Sequence, residues 1–216
     1  MELLFNTAEN RFEKPNQVRS ILEIALVLDR VLPVDPAHNV VNHGIPVALN
    51  ITKFVSRFDP HSEVRLDNLV IAGLLHDRQR FVIGHLPFEL ITKSILNKVG
   101  LKEDNKIEIM TLIHNHSDLR NRATLGEKYL YLADKKEYFS IPRLEQSIGK
   151  FPKFAVDLYK KHWKKRVGAI MNNVDRLDRS EFDGIAAIFK EDIIKLNRHI
   201  KEFQPQMIDL FDGVKV

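Results

Sequence analysis

An all-α fold is what this sequence predicts, on three observations. Apolar residues recur at intervals of three and four almost throughout the 216 residues. No stretch alternates apolar and polar residues with the period of two that a half-buried strand requires. Residues that start and stop helices stand at the ends of the periodic stretches. With 44% of its residues hydrophobic and 29% charged, the chain can bury a sizeable core.

The elements follow in order. The spacing in "NQVRSILEIALVLDRV" predicts a helix over about 16–31, ended before Pro33, which cannot continue it. The segment "VLPVDPAHNV" is a loop, because Pro33 and Pro36 force extended geometry on their predecessors. A second helix is expected over about 40–57, with His43 in its first turn and Val47, Ile51, Phe54 and Val55 as its inward stripe. Ser62 is read as the N-cap of a third over about 63–76. A fourth covers about 87–99 and stops at Gly100, and a fifth covers about 103–116. Thr124 and Glu127 match the capping box, which opens a sixth helix containing Asp134. The Pro and Gly of "SIPRLEQSIGKFP" suggest a linker, after which two amphipathic helices, about 152–177 and 180–203, complete the chain. Ser180 and Asp183 are expected at the start of the last one. No internal repeat or low-complexity tract is visible.

Composition narrows the chemistry. The chain has no cysteine, which excludes disulfides, thiolate zinc sites and cysteine nucleophiles, so any metal must be held by imidazole and carboxylate. No run is apolar enough to span a bilayer, and "MELLFNTAENRFEK" lacks the basic start and apolar stretch of a signal peptide, which leaves a cytoplasmic protein as the expectation. The net charge is +4, and it is unevenly placed: residues 1–139 hold 18 basic and 18 acidic side chains, whereas 140–216 hold 15 and 11. An anionic partner, a phosphorylated substrate or a nucleic acid, suits that balance.

The stretch "LVIAGLLHDRQRF" ends an apolar helix on His76, Asp77, Arg78 and Arg80. A His-Asp pair alone is ordinary: the histidine can bond a neighbouring carbonyl and the aspartate can end the helix. Its company is what counts. His38 and His43 lie before the second helix or in its first turn, His85 before the fourth, and His114 and His116 at the end of the fifth. Asp134 places a carboxylate in the apolar run "YLYLADKK", where burial without a partner would cost several kcal/mol. Helices joined by short connections can bring such groups to one point. Mixed imidazole and carboxylate ligands suit one or two divalent ions among iron, manganese, zinc, cobalt and nickel.

The order His, His-Asp, Asp, each on its own helix, resembles the HD superfamily of metal-dependent phosphohydrolases. "NHGIPVALNITKF" looks like the family's first element and assigns His43. "LLHDRQR" is similar to the name-giving element, with Arg80 matching its Arg while Arg78 and Gln79 depart from the usual Ile-Gly. "YLYLADKKEYF" looks like the third element and assigns Asp134. "GHLPFELITKSIL" resembles the segment supplying His85 as an extra ligand. "LIHNHSDLRNRATLGEKYLYLAD" is similar to bacterial HD hydrolases that cleave symmetrical dinucleoside tetraphosphates, with His116 in the ligand place and His114 as the adjacent alternative. The resemblance spans roughly residues 39–139.

It implies an HD-type helical bundle over residues 1–139, with the amphipathic helices of 140–216 packed on it, and a hydrolase acting on a nucleotide or dinucleotide polyphosphate. It implies one ion on His43, His76, Asp77 and Asp134 and a second on His85, His116 and Asp77. Two-metal sites of this kind make water a nucleophile and clamp a phosphoryl group. Arg80, Arg120, Arg122 and Lys128 are expected to contact phosphate, with Asp77, Arg80 and Lys128 the residues closest to the chemistry. His38 is read as a loop histidine capping a helix, and His61, His162 and His199 have no partners at ligand spacing. The run "YKKHWKKR" reads as a solvated face, and the apolar stripes of the last helices as core or a homodimer face. The competing expectation is a catalytically silent HD scaffold that binds a protein or nucleic-acid partner.

Overall fold

The computed structural model describes residues 5, 11–31, 38–59, 64–77, 88–117, 119, 123–149, 156–204 and 207, and the regular structure among them is helical, without a strand. The elements are α1 (Pro15–Val31), a π turn (Val40–Gly44), α2 (Ile45–Phe58), α3 (Leu66–Leu75), α4 (Phe88–Lys98), α5 (Glu103–Asn115), α6 (Leu125–Tyr138), α7 (Ile141–Gly149), α8 (Val156–Asp178) and α9 (Ile185–Phe203). They form two compact units, Met1–Asp134 and Lys135–Val216, whose division falls inside α6.

The first unit is built around α3. Its sequence, LDNLVIAGLL, is apolar on every side beyond its first turn, and all of it except Asp67 is buried, as expected of a helix surrounded by others. It packs against α1, α2, α5 and the π turn. The predicted stripe of α2, Val47, Ile51, Phe54 and Val55, is wholly buried. Truncating a residue such as Leu69, 1% exposed, to Ala would cost about 2–5 kcal/mol. Polar ties fix the neighbours: Lys14 N donates to Asp67 Oδ2 at 2.7 Å, joining the starts of α1 and α3, and Asn68 Nδ2 donates to Glu108 Oε2 at 2.7 Å, joining α3 to α5.

Several start and stop signals act as read. At Gly100 (φ 70°) the chain turns left-handed, and the bonds Gly100 N–H to Asn97 O and Leu101 N–H to Leu96 O complete a Schellman stop for α4. Thr124 and Glu127 form the capping box: Thr124 N–H donates to Glu127 Oε2 at 2.5 Å and Glu127 N–H to Thr124 Oγ at 3.3 Å. Other readings are corrected. The second helix opens with a π turn rather than α geometry. The supposed linker holds α7, because Pro142 and Gly149 stand at its two ends, where each residue type is tolerated. Ser62 lies outside the described residues, and Arg65 is the N-cap of α3 without a side-chain capping bond. Ser180 Oγ bonds back to the carbonyls that end α8, whereas α9 starts after Gly184 (φ 83°) and receives Asp178 Oδ1 on Ala186 N–H at 2.9 Å.

In the second unit α8 and α9 pack on each other. Tyr159, Trp163, Val167, Ile170, Val174 and Leu177 of α8, and Ile185, Phe189, Ile193, Leu196 and Ile200 of α9, are buried. Tyr138 stacks on Trp163 with centroids 4.4 Å apart, and Phe139 meets Phe189 edge-on. Lys161, His162, Lys165 and Arg166 are exposed around the buried Trp163, which is the solvated face expected of that run. Among the described residues no helix is long and apolar enough to cross a membrane.

Candidate metal centre

Helix ends build the site. His76 is the C-cap of α3 and His116 the C-cap of α5. The last carbonyls of a helix have no partner within it, and each imidazole turns back onto one: His76 Nδ1–H donates to Gly73 O at 2.8 Å and His116 Nδ1–H to Ile113 O at 2.5 Å. A carbonyl only accepts, so the proton sits on Nδ1 in both rings. Each Nε2 is left with a lone pair to offer, the usual preparation of a metal-binding histidine.

The π turn delivers His43. Asn39 Oδ1 accepts from Asn42 N at 2.6 Å, and Val40 N–H donates to Asp29 Oδ2 of α1 at 2.6 Å, so the turn is held at its start from two directions. Asn39 O receives both His43 N–H and Gly44 N–H, and Ile45 N–H bonds Val40 O, which gives the wide turn. Gly44 is needed for close approach: a Cβ there would stand 2.9 Å from the backbone oxygen of Leu74. The turn can thus lie against the end of α3, with the His43 and His76 ring centroids 4.7 Å apart.

Asp77 follows His76, and α6 contributes Asp134. His43 Nε2 lies 2.9 Å from His76 Nε2 and 3.4 Å from Asp134 Oδ1, and His76 Nε2 lies 3.5 Å from Asp134 Oδ1. Asp77 faces two ways, with Oδ2 3.1 Å from His43 Nε2 and Oδ1 3.9 Å from His116 Nε2. His43, His76, Asp77 and His116 are buried, and the Asp134 side chain is 13% exposed.

Burial alone would raise the Asp77 pKa, but hydrogen bonds from His38 and His43 outweigh it and hold the carboxyl far below its usual range. Burial and the neighbouring His76 push His116 below its ordinary value, which keeps its imidazole neutral. One buried carboxylate and one partly exposed carboxylate among imidazoles could hold a divalent cation. Edges of 2.9–3.5 Å among His43, His76 and Asp134 match neighbouring ligand atoms around an ion held at about 2.0–2.2 Å. Three overlapping groups can hold an ion: His43, His76 and Asp134; His76, Asp77 and His116; and His38, His43 and Asp77.

Of the residues expected from sequence, His43, His76, Asp77, His116 and Asp134 come together. His114 is exposed and lines a separate cleft of about 300 Å³ with Glu89, Lys93 and Met110, so His116 is the member of that pair that reaches the cluster. Lys128 is half-buried in the first turn of α6, six residues ahead of Asp134. Arg80, His85, Arg120 and Arg122 lie outside the described residues. His38 corrects the sequence reading: it does not serve as a helix cap, a role Asn39 fills, and its Nδ1 lies 2.6 Å from Asp77 Oδ2. Glu127 is a second residue the reading undervalued. Its Oε1 accepts from Asn115 Nδ2 at 2.5 Å, tying the start of the Asp134 helix to the end of the His116 helix. His199, which has no partner at ligand spacing in the sequence, bonds Glu145 at 3.0 Å. No protein-family model, curated protein or solved structure matches the chain.

Proposed function

We propose that the chain is a metal-dependent phosphohydrolase of HD type, acting on a nucleotide or dinucleotide polyphosphate with water as the nucleophile. The observation that carries this reading is the meeting of His43, His76, Asp77, His116 and Asp134, from distant parts of the sequence, in one buried cluster. His43, His76 and Asp134 would hold one ion, with Asp77 Oδ2 beside them. Asp77 Oδ1 and His116 would serve a second, with His85 added by the HD resemblance. A divalent ion bound there supplies Lewis acidity, which makes water nucleophilic near neutral pH and offsets charge on phosphoryl oxygens.

The protein's own groups divide the remaining work. His76 and His116 keep their Nδ1 protons on backbone carbonyls and so act as fixed lone-pair donors rather than acids. Asp77, whose carboxyl is held far below its usual range, stays ionised and is a poor base. Arg80, Arg120 and Arg122 would grip phosphate oxygens with their planar forks, and Lys128 would add a point charge. No side-chain nucleophile is required.

Protein purified without chelator should carry about one equivalent or more of a first-row divalent ion and should release phosphate from a nucleotide panel supplied with manganese, cobalt or iron under reducing conditions. A protein with no bound ion and no turnover under any of these additions overturns the proposal. The exposed Lys161, Lys165 and Arg166 of α8 favour one other reading, a silent nucleic-acid-binding scaffold. A metal-free protein whose nucleic-acid affinity falls steeply with salt would select it.

A further inference from the structure

We infer that His38 is a positioning residue of the metal centre: its Nδ1–H bonds Asp77 Oδ2 and fixes the direction in which each Asp77 oxygen faces. The inference rests on the metal-centre reading above and concerns how that centre is held.

The contact is 2.6 Å between two side chains only 11% and 7% exposed, so it is a dry, charge-assisted hydrogen bond rather than a surface pairing. An ionised carboxylate only accepts, which places the proton on Nδ1. The separation is shorter than the 2.9–3.5 Å found among His43, His76 and Asp134. Two ligand atoms held about 2.0–2.2 Å from one ion at a right angle stand about 2.8–3.1 Å apart. Of the two roles open to His38, ligand of an ion and hydrogen-bond donor to Asp77, the shorter separation therefore favours the donor.

The π turn beside His38 is anchored by other residues: Asn39 caps it through Asn42 N, and Asp29 holds Val40 N–H. The consequence of the bond lies at Asp77, whose Oδ2 is near His43 while Oδ1 is near His116. A carboxylate free to rotate about its Cβ–Cγ bond would blur that assignment. His38 holds one oxygen and thereby sets both.

The test is titration of the full chain with Mn²⁺ alone by calorimetry, and with Co²⁺ alone by its visible absorption. His38→Ala should weaken Mn²⁺ binding about 10–100-fold and alter the Co²⁺ spectrum, with the number of ions at saturation unchanged. His38→Asn, whose amide nitrogen stands as many bonds from Cα as Nδ1, should restore most of the affinity. Unchanged affinity in His38→Ala overturns the inference. So does loss of a whole ion equivalent that Asn does not restore, which would make His38 a ligand. If His38→Ala does not fold, His38→Gln, with its amide one methylene further out, replaces it, and Gln binding as tightly as Asn overturns the inference. A native protein that takes up neither Mn²⁺ nor Co²⁺ overturns the metal-centre reading itself, and that failure appears before any variant is made.

Discussion

At the ends of α3 and α5 in the first unit the buried residues are His76, Asp77 and His116, whereas along α8 in the second they are Tyr159, Trp163, Val167, Ile170, Met171, Val174 and Leu177. Both interiors exclude water, by opposite means. Along α8 the second is filled with apolar and aromatic surface, which is stabilised by leaving water. The first buries carboxylates and imidazoles, which destabilise a fold unless each is bonded. A fold that needed only stability could have used the first unit's space as it used the second's. The difference makes the first unit's polar interior the place where metal chemistry is proposed.

Two substitutions should break the comparison most sharply. Asp77→Ala removes the carboxylate that faces both His43 and His116, and ion content should fall from the native value to undetectable while helical content persists. Trp163→Ala should do the reverse, lowering stability by about 3–5 kcal/mol without changing ion content, since every candidate ligand lies in the first unit. Elemental analysis and thermal melts of both variants check this. Ion loss in Trp163→Ala would mean that the two interiors are not separable. Among the described residues Trp163 Nε1 has no hydrogen-bond partner, so Trp163→Phe should recover most of the stability through ring packing alone.

The pH response of the metal-free protein should separate the units again, from opposite directions. His116 has a folded pKa below its ordinary 6.5, chiefly because burial penalises its charged form. The unfolded chain binds that proton first, so stability present above pH 6.5 is lost as the pH falls. Burial pushes Tyr138 up to about 12 from 10.0, so its contribution is intact below pH 10 and is lost as the pH rises from there to about 12. That loss amounts to about 2–3 kcal/mol. Denaturant unfolding across the pH range checks both limbs, and Tyr138→Phe should flatten the alkaline one. An alkaline limb unchanged by Tyr138→Phe would assign it to other groups.

Much of this contrast could be read from sequence where local chemistry decides. Helical periodicity marked the interior stripes of α2, and the Thr124–Glu127 box and Gly100 acted as local signals do. Five histidine and aspartate positions were legible because helix ends and an unpaired acid in an apolar run are visible without coordinates. His38 was not. It lies five residues before His43, and α geometry turns 100° per residue, which would set the two on different sides. The π turn that begins after Asn39 removes that objection, and it depends on Asp29 of another helix, a tertiary bond that no local pattern announces. The helix α7 was hidden for the converse reason: Pro142 and Gly149 are breakers inside a helix but ordinary at its ends.

The smallest expected effect sharpens the comparison most finely, because it asks whether a stability device in the first unit also serves its chemistry. Glu127 closes the capping box of α6 through Oε2 and holds Asn115, the neighbour of His116, through Oε1. Seven residues on, nearly two helical turns along the same face, stands Asp134. Glu127→Ala should cost about 0.5–2 kcal/mol as a lost cap and should also weaken ion binding a few-fold, because the helices of His116 and Asp134 lose their tie. Thr124→Ala removes the other half of the box and leaves the Asn115 bond in place, so it should lower stability by a similar amount with ion affinity unchanged. Equal ion affinity in the two variants would reduce Glu127 to a helix cap. A difference would show that the polar interior is aligned by a bond beyond the cluster it serves.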